Sequence, residues 1–118
     1  MAYQDLRAFL EVLEAEGQLV RVKEEVDPEQ IGAAGRAAAD TKSSPAIFFE
    51  KVKGYKYPVV TNVHGSWENH ALMMGMPKNT PVKDQFHELN RRWDLYPVAP
   101  TILPREQAKC KENVIDKD

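Results

Sequence analysis

The 118-residue sequence has only one cysteine, and none of its apolar runs is as long as a membrane span or the core of a signal peptide. Cys110 therefore has no second cysteine with which to form an intrachain disulfide, which favours a reducing compartment. Positive charge is not in excess either: the formal net charge is −2, whereas nucleic acids and anionic membranes bind concentrated positive surfaces. We therefore expect a cytoplasmic protein whose partners are neither nucleic acids nor membranes.

What remains is an ordinary soluble composition, with 42% hydrophobic and 29% charged residues. Such a composition over this length predicts a single globular core. Chains of this size bury about two thirds of the surface that they expose when unfolded, so we expect the isolated chain to be only marginally stable.

The first third of the sequence predicts two helices with a strand between them. Apolar residues recur at helical spacing over 5–17, with an aspartate placed to cap the start and a glycine placed to end it. Residues 18–23 alternate between apolar and polar and predict a short strand before the breaker Asp27-Pro28. Small residues dominate the second helix, at 31–39, and would let it approach a sheet closely. Two of them are Gly32 and Gly35.

The middle of the sequence predicts a β-hairpin. Ala46–Phe49 is a continuous apolar run, typical of a strand that is covered on both faces. A turn at Gly54 leads into a third strand at Tyr57–Val63, near enough to pair with the second. The helical crossover predicts that the first two strands are parallel, whereas a hairpin is antiparallel. We therefore expect a mixed sheet with the apolar run at its centre.

Two further helices are predicted after the sheet. Ser66 can cap a helix at Trp67–Met74, and Thr80-Pro81 supplies the N-cap and first-turn residues of another. We expect the last helix to pack by an apolar face. This face comprises Val82, Phe86, Leu89 and Trp93.

These patterns together predict an α/β (α+β) fold, with a small mixed sheet of about three strands packed with about four helices. Three prolines fall close together after residue 96, and no periodicity follows them. We therefore expect an N-terminal α/β domain at 1–96 and a proline-rich C-terminal extension at 97–118.

Histidine and cysteine are the residues here most able to bind a metal or transfer a proton. None of the histidines stands at the i, i+4 spacing of a helical zinc pair, and packed or hydrogen-bonded histidines are commoner than catalytic ones. Lysines flank the cysteine and could favour its thiolate, but no base is evident beside it. We expect no catalytic role for the four candidates, which are His64, His70, His87 and Cys110.

Three other patterns have ordinary explanations. Gly32 and Gly35 have the spacing of a dinucleotide fingerprint but lie inside a predicted helix, so nucleotide binding is not supported. The hairpin resembles a basic patch with aromatics, although a solvated loop is commoner. Its residues are Lys51, Lys53, Tyr55, Lys56 and Tyr57. Acidic residues near the second helix are explained by its N-terminal dipole without a metal. They are Glu24, Glu25, Asp27 and Glu29.

Four stretches of the sequence resemble the N-terminal region of the UbiD-type carboxy-lyases. They are MAYQDLRAFLEVLEAEGQLVRVKEEVDPE, SSPAIFFEKVKGYKYPVVTNVHGSW, NHALMMGMPKNTPVKDQF and ELNRRWDLYPVAP. Together they cover nearly the whole sequence, and their order is more specific than any single motif. Within the family, the sequence looks like the large subunit of the hydroxyarylic acid decarboxylases, which act on vanillate, 4-hydroxybenzoate or protocatechuate.

This resemblance implies a reversible, non-oxidative decarboxylation of an aromatic acid that uses prenylated FMN, manganese and potassium. In this family a Glu, Arg, Glu set does the acid and base work, and it lies with the cofactor and metal ligands in a following flavin-binding domain. No position here matches those motifs, so we assign no catalytic, cofactor-binding or metal-binding residue to this chain and expect no cofactor to bind it alone.

Family members are several times longer than this sequence. The resemblance therefore implies that this sequence is a fragment, inactive alone. Residues 97–118 would link it to an absent flavin-binding domain of the same polypeptide. It also implies that the full enzyme forms homo-oligomers.

A second hypothesis is a stand-alone, non-catalytic protein-interaction module derived from the same domain. It would dock through an apolar face rich in methionine, because methionine adapts to varied partners, although core packing is the commoner use of such residues. The face comprises Trp67, Met73, Met74 and Met76.

Overall fold

The structure is a computed structural model that describes residues 3–95 and 97–115. Within these residues it has four α-helices, which are α1 (Leu6–Ala15), α2 (Pro28–Ala39), α3 (Trp67–Met73) and α4 (Val82–Trp93). One sheet is formed by the strands β1 (Leu19–Val26), β2 (Ala46–Val52) and β3 (Val59–Thr61). The predicted small α/β fold is confirmed. Position 96, the predicted domain limit, and positions 1, 2 and 116–118 lie outside the described residues.

The chain divides into two compact units between His87 and Glu88, inside α4. The first unit contains the sheet, α1 to α3 and the first turns of α4. The second contains the rest of α4 and the segment after it, with two short 3-10 turns at Arg105–Gln107 and Lys109–Lys111. No side chain that the structure describes in the second unit is fully buried. The core therefore lies in the first unit.

The sheet has the order β1-β2-β3, so β2 lies at its centre. β1 and β2 are parallel, and β2 and β3 are antiparallel, which confirms the predicted mixed sheet. β1 continues to Val26, whereas the sequence predicted an end at Lys23. The predicted strand was too short because β1 shifts its register at a bulge between Val22 and Glu25 and then continues to pair with β2.

Alternate residues of β2 face opposite sides of the sheet, and each side has its own apolar cluster. On one side, Ala46 packs with buried residues of α1 and α3, which are Phe9, Leu13 and Leu72. On the other side, Ile47 and Phe49 pack with Ala38 of α2. Because both faces of β2 are covered, its sequence is apolar without alternation.

Two side chains cap helices as predicted from the sequence. The Asp5 carboxylate accepts a hydrogen bond from the Ala8 N–H at 2.9 Å, at the start of α1. The Ser66 hydroxyl accepts one from the Asn69 N–H at 3.1 Å, at the start of α3. Each cap satisfies a backbone N–H that has no partner within its helix, and so defines where the helix begins.

Gly35 brings α2 close to the end of β3. A Cβ atom at this position would lie 3.2 Å from Asn62 Oδ1 and 3.3 Å from Thr61 Oγ1. The Asn62 side chain also donates a hydrogen bond from Nδ2 to the Gly35 carbonyl oxygen at 2.7 Å. Gly32 is exposed, and a Cβ there would meet no atom within 4 Å. The predicted close approach is therefore confirmed for Gly35 and wrong for Gly32, which lies on the open side of the helix.

The first turns of α4 do not pack by the predicted apolar face. Gln85 is the buried residue of this helix, with 1% of its surface exposed, whereas Phe86 is 50% exposed. The other members of the predicted face, Val82, Leu89 and Trp93, are exposed as well. The prediction was wrong because the Gln85 amide donates two hydrogen bonds and accepts one, which hold its side of the helix inwards.

Glu88 pairs with two arginines that follow it along α4. Arg91 Nε donates to Glu88 Oε2 at 2.7 Å, and Arg92 Nε donates to Glu88 Oε1 at 2.7 Å. The hydrogen bonds from Arg91, and then those from Arg92, lower the pKa of the Glu88 carboxyl to about 2. These contacts join successive turns of one helix at its surface.

Alanine at each glycine of α2 should separate the roles of the two positions. Gly32→Ala should raise the free energy of unfolding by about 1 kcal/mol, because alanine favours a helix interior and the position is open. Gly35→Ala should raise it less or lower it, because its Cβ would press on Asn62 and Thr61. Urea unfolding measures both variants. An equal gain at the two positions would contradict the close approach of α2 to β3.

The pairing of Glu88 should be visible in its titration. Because its pKa in the folded chain is lowered, the contribution of the pairs to stability is complete above about pH 4.5. It is lost as the pH falls through about 2, where the carboxyl takes up its proton. Carbon-13 NMR of the Glu88 side chain should show this low midpoint, and the double change Arg91→Gln with Arg92→Gln should raise it. Arg105→Gln is the control. A midpoint that the double change leaves in place would argue against these pairs.

Candidate functional site

The candidate residues from the sequence occupy different surroundings. His64 is exposed before α3 and stacks on Phe9, with ring centroids 6.3 Å apart. His70 is half-buried in α3, and His87 is exposed on α4. Cys110 is an exposed free thiol in a 3-10 turn. No group of three or more side chains that could hold a metal occurs within 3–95 and 97–115. The assignment of no site residue to this chain stays a prediction.

Gln85 connects α4 to α3 and to the loop between them. Its Nε2 donates to the carbonyl oxygen of Thr80 at 2.9 Å and to that of Trp67 at 3.1 Å. Its Oε1 lies 2.9 Å from Nδ1 of His70. Because the side chain is almost completely buried, these contacts replace the hydrogen bonds that the amide makes with water in the unfolded chain. One amide therefore holds three backbone or side-chain groups at fixed distances from each other.

These contacts also indicate the tautomer of His70. Carbonyl oxygens only accept hydrogen bonds, so the nitrogen of Gln85 faces Thr80 and Trp67 and its oxygen faces His70. The ring therefore donates from Nδ1. In the neutral ring, Nε2 then carries the lone pair, and it is the nitrogen able to accept a hydrogen bond or bind a metal.

Trp67, the first residue of α3, forms an aromatic pair with Phe86 of α4. Their ring centroids lie 5.7 Å apart. The rings of Trp67 and His70 are nearly perpendicular, with an interplanar angle of 87° and centroids 5.6 Å apart. Trp67 is 48% exposed and Phe86 is 50% exposed. The pair therefore presents a large apolar area to solvent from a backbone that Gln85 holds in place.

Trp67 also lines two concavities in the surface of the first unit. One has a volume of about 560 Å³ and is lined in addition by Ser44, Lys78 and Val82. The other has a volume of about 320 Å³ and is lined by the loop that includes His64 and by His70. Trp67 thus contributes to the lining of both depressions.

The side chains around these concavities do not suit a manganese centre. The larger contains a single carboxylate, Glu68, beside two lysines, and the smaller contains two imidazoles. Manganese is best held by several carboxylate, carbonyl or water oxygens. The described residues therefore do not fit the metal that the family resemblance implies.

Among the helices of the described residues, none has the length and apolar character of a membrane span.

The side chains whose pKa is shifted belong to ion pairs at the surface. The hydrogen bonds from Arg21 lower the pKa of the Glu14 carboxyl, and the same contact raises the pKa of Arg21. The other shifted groups are Glu88 and Arg91 of α4. Glu14 and Arg21 line a concavity of about 220 Å³, where they pair with each other and join α1 to β1. The pairs of Glu88 join successive turns of α4. Perturbed pKa values also occur in structural ion pairs of this kind.

The charged clusters of the sequence also have structural surroundings. The hairpin lysines and tyrosines are exposed, and Lys53 Nζ lies 3.3 Å from the Asp27 carboxylate. Asp27 is the N-cap of α2 and Glu29 is in its first turn, as predicted. Glu24 and Glu25 lie at the end of β1, just before α2, as expected for a cluster that precedes or opens a helix.

The predicted methionine-rich docking face is wrong. Met74 is buried, and Met73 packs on the cluster around Phe9 and Leu13. Met76 is half-buried. These methionines serve the core, because an unbranched side chain fills irregular gaps between helices. Of the four predicted residues, Trp67 is the one that is exposed, and Phe86 is one of its aromatic neighbours.

The sequence is similar to longer proteins over nearly its whole length. It is 73% identical over 98% of this chain to the phenolic acid decarboxylase of Sedimentibacter hydroxybenzoicus. It is 51% identical over 96% of this chain to the protein of the same name from Streptomyces sp. (strain D7). These matches cover 25% and 24% of the relatives. The chain thus spans about a quarter of the length of the curated relatives that it matches.

Solved structures share the fold. The vanillic acid decarboxylase of Sedimentibacter hydroxybenzoicus in open form superposes with a TM-score of 0.85 and 72% identity, over 100% of this chain and 26% of that chain. An evolved dimeric form of the UbiD-class enzyme HmfF from Pelotomaculum thermopropionicum, in complex with prFMN, superposes with a TM-score of 0.67 and 35% identity. That match covers 91% of this chain and 23% of the other.

Replacement of the buried amide should show how far α3 and α4 depend on it. Gln85→Leu should lower the free energy of unfolding by about 2 kcal/mol or more, because it leaves two carbonyl oxygens and a ring N–H without their partner. Asn90→Leu is the matched control, since Asn90 is an exposed amide on the same helix. Urea unfolding compares the two. Equal small losses would show that the Gln85 contacts do not stabilise the fold.

The family assignment rests on a match to most of the first unit. Residues 10–89 match the sequence model of a known family, and this stretch includes the whole sheet with α2, α3 and the start of α4. The match covers more than half of the chain, and the relatives named above are consistent with it. The chain therefore belongs to the family described as the 3-octaprenyl-4-hydroxybenzoate carboxy-lyase N-terminal domain, as its resemblance to the UbiD-type carboxy-lyases implied.

Proposed function

We propose that this chain is the N-terminal domain of a reversible, non-oxidative decarboxylase of hydroxybenzoate-type aromatic acids. The observation that carries the proposal is the 73% identity, over 98% of this chain, to a phenolic acid decarboxylase. Its other support is the structural similarity to a vanillic acid decarboxylase at a TM-score of 0.85. Vanillate, 4-hydroxybenzoate and protocatechuate are the candidate substrates.

The domain is proposed to be inactive alone. Acid and base catalysis needs titratable groups that converge where a substrate can reach them. In the part of the chain that the structure describes, no set of three metal-ligating side chains occurs, and the shifted pKa values belong to surface ion pairs. The matched relatives have three quarters of their length outside the alignment, which leaves ample polypeptide for an active site.

The finer features of the full enzyme belong to the same proposal. Prenylated FMN would supply an electron sink for loss of carbon dioxide, and its support here is a UbiD-class neighbour solved with prFMN. Manganese, potassium, a homo-oligomeric assembly and a cytoplasmic location follow from the family resemblance. So does the division into a domain at 1–96 and a linker at 97–118 that leads to a flavin-binding domain of the same polypeptide.

A chimera tests the proposal directly. Residues 1–118 of this chain would replace the aligned N-terminal quarter of the Sedimentibacter relative, and the product would be expressed with a supply of prenylated FMN, manganese and potassium. We expect the chimera to release carbon dioxide from vanillate or 4-hydroxybenzoate at a rate comparable with that of its parent. The purified 118-residue chain should release none under the same conditions.

Two controls make the outcome clear. The unmodified relative shows that the cofactor supply is sufficient, and the relative without its N-terminal quarter shows whether this domain is needed. Turnover by the pure chain would contradict its inactivity. A folded chimera without turnover, beside an active parent, would contradict the assignment to this enzyme class.

A further inference from the structure

The Trp67–Phe86 pair is an unusual feature for the surface of a small domain. Both rings are large, both are about half exposed, and they contact each other at 5.7 Å. Val82, on the same first turns of α4, is exposed beside them. Aromatic side chains of this kind, clustered and held by their neighbours, dominate the binding energy of protein interfaces.

The backbone that carries the pair is anchored by hydrogen bonds within the domain. The carbonyl oxygen of Trp67 accepts a hydrogen bond from buried Gln85, and the residue after Gln85 is Phe86 itself. The indole meets His70 edge to face, and His70 contacts Gln85 in turn. A surface whose backbone is already anchored loses less entropy when it binds, so a modest area can be sufficient.

The shape around the pair suits an irregular partner surface. Depressions of about 560 Å³ and about 320 Å³ lie beside the indole ring, which lines both of them. Polar and charged residues also line them, with Lys42 and Glu68 in the larger and His64 in the smaller. An apolar centre with a polar rim is the usual construction of a protein–protein interface.

We infer that this Trp67 surface, comprising Trp67, Val82 and Phe86, is where the following part of the same polypeptide packs against the domain. The inference rests on the proposed function, which places this chain at the start of a longer enzyme. The relatives at 73% and 51% identity have three quarters of their length outside the match, so further polypeptide stands beside this domain in them.

The size of the surface favours a tethered partner over a second copy of the chain. A stable dimer usually needs about 800 Å² from each partner, and three apolar side chains provide only part of that area. A covalently linked domain is present at an effective concentration of about millimolar, so it can dock on a smaller surface. Contacts between domains of one chain are accordingly smaller and more polar than those of obligate dimers.

Hydroxyl-radical footprinting tests the inference residue by residue without any substitution. The modification rates of Trp67 and Phe86 would be compared between the 118-residue chain and the chimera described above. We expect both rates to fall several-fold in the chimera. Tyr55 and Tyr57, 68% and 79% exposed in the hairpin, are internal controls whose rates should not change. Unchanged rates at Trp67 and Phe86 would overturn the inference.

A pair of variants separates docking from support of the domain itself. Phe86→Ser should lower the melting temperature of the chimera by several degrees more than that of the 118-residue chain. Tyr57→Ser, at an exposed ring in the hairpin, should change neither. An equal loss in both proteins from Phe86→Ser would assign the ring to the domain alone and overturn the inference.

Three further outcomes are informative: the first identifies a different occupant, and the other two distinguish this surface from the proposed function. Protection of Trp67 that rises with concentration in the 118-residue chain would identify a second copy as the occupant and overturn the inference. An active chimera in which both rings stay reactive would overturn the docking surface and leave the enzyme class standing. An inactive but folded chimera in which both rings are protected would support the docking surface and contradict the enzyme class.

Discussion

The structure depends on the requirement that β2 be covered on both faces. A strand with the sequence AIFF has no polar side to turn to solvent, so helices must lie on each side of it. α1 and α3 provide one cover through Phe9, Leu13 and Leu72, and α2 provides the other. The narrow sheet brings the second cover close at Gly35, where a backbone without a side chain reaches Asn62. The rest of the fold consists of the connections that this arrangement needs.

The second organising element is polar. α3 is short, with seven residues, and helices of that length gain little stability from their own hydrogen bonds. Its position is set by the Ser66 cap, by the burial of Leu72 in the first core and by the amide of Gln85. A buried amide is costly unless each of its groups is bonded, so it tolerates few alternative placements of the helices around it. The same constraint sets the backbone positions of Trp67 and Phe86, which carry the exposed aromatic pair.

Much of the fold could be predicted because its signals are periodic or local. The apolar run at β2, the helical spacing of α1 and the caps at Asp5 and Ser66 each carry their own pattern in the sequence. The packing of α4 could not be predicted in this way. A stripe of four apolar residues is an ordinary sign of a buried face, whereas one glutamine carries no periodic signal at all. Its burial depends on partners at Trp67, His70 and Thr80, whose approach only the tertiary structure reveals.

The same distinction applies to function. No spacing of histidine, cysteine or carboxylate in the sequence indicates a reaction, and the described residues bring no such set together. Family membership was predicted from the order of whole segments, which records ancestry and not chemistry.

The full extent of β1 was not predicted, because the bulge between Val22 and Glu25 has no marker in the sequence.

The hydrogen bonds of Gln85 have a consequence for the chemical group that the junction of α3 and α4 can accept. The amide nitrogen donates to the carbonyl oxygens of Trp67 and Thr80, and the amide oxygen accepts from the His70 ring. An ionised carboxylate has nearly the same shape but only accepts hydrogen bonds, so it would face two carbonyl oxygens with no proton between them. This junction therefore selects an amide by the direction of its hydrogen bonds and not by its size.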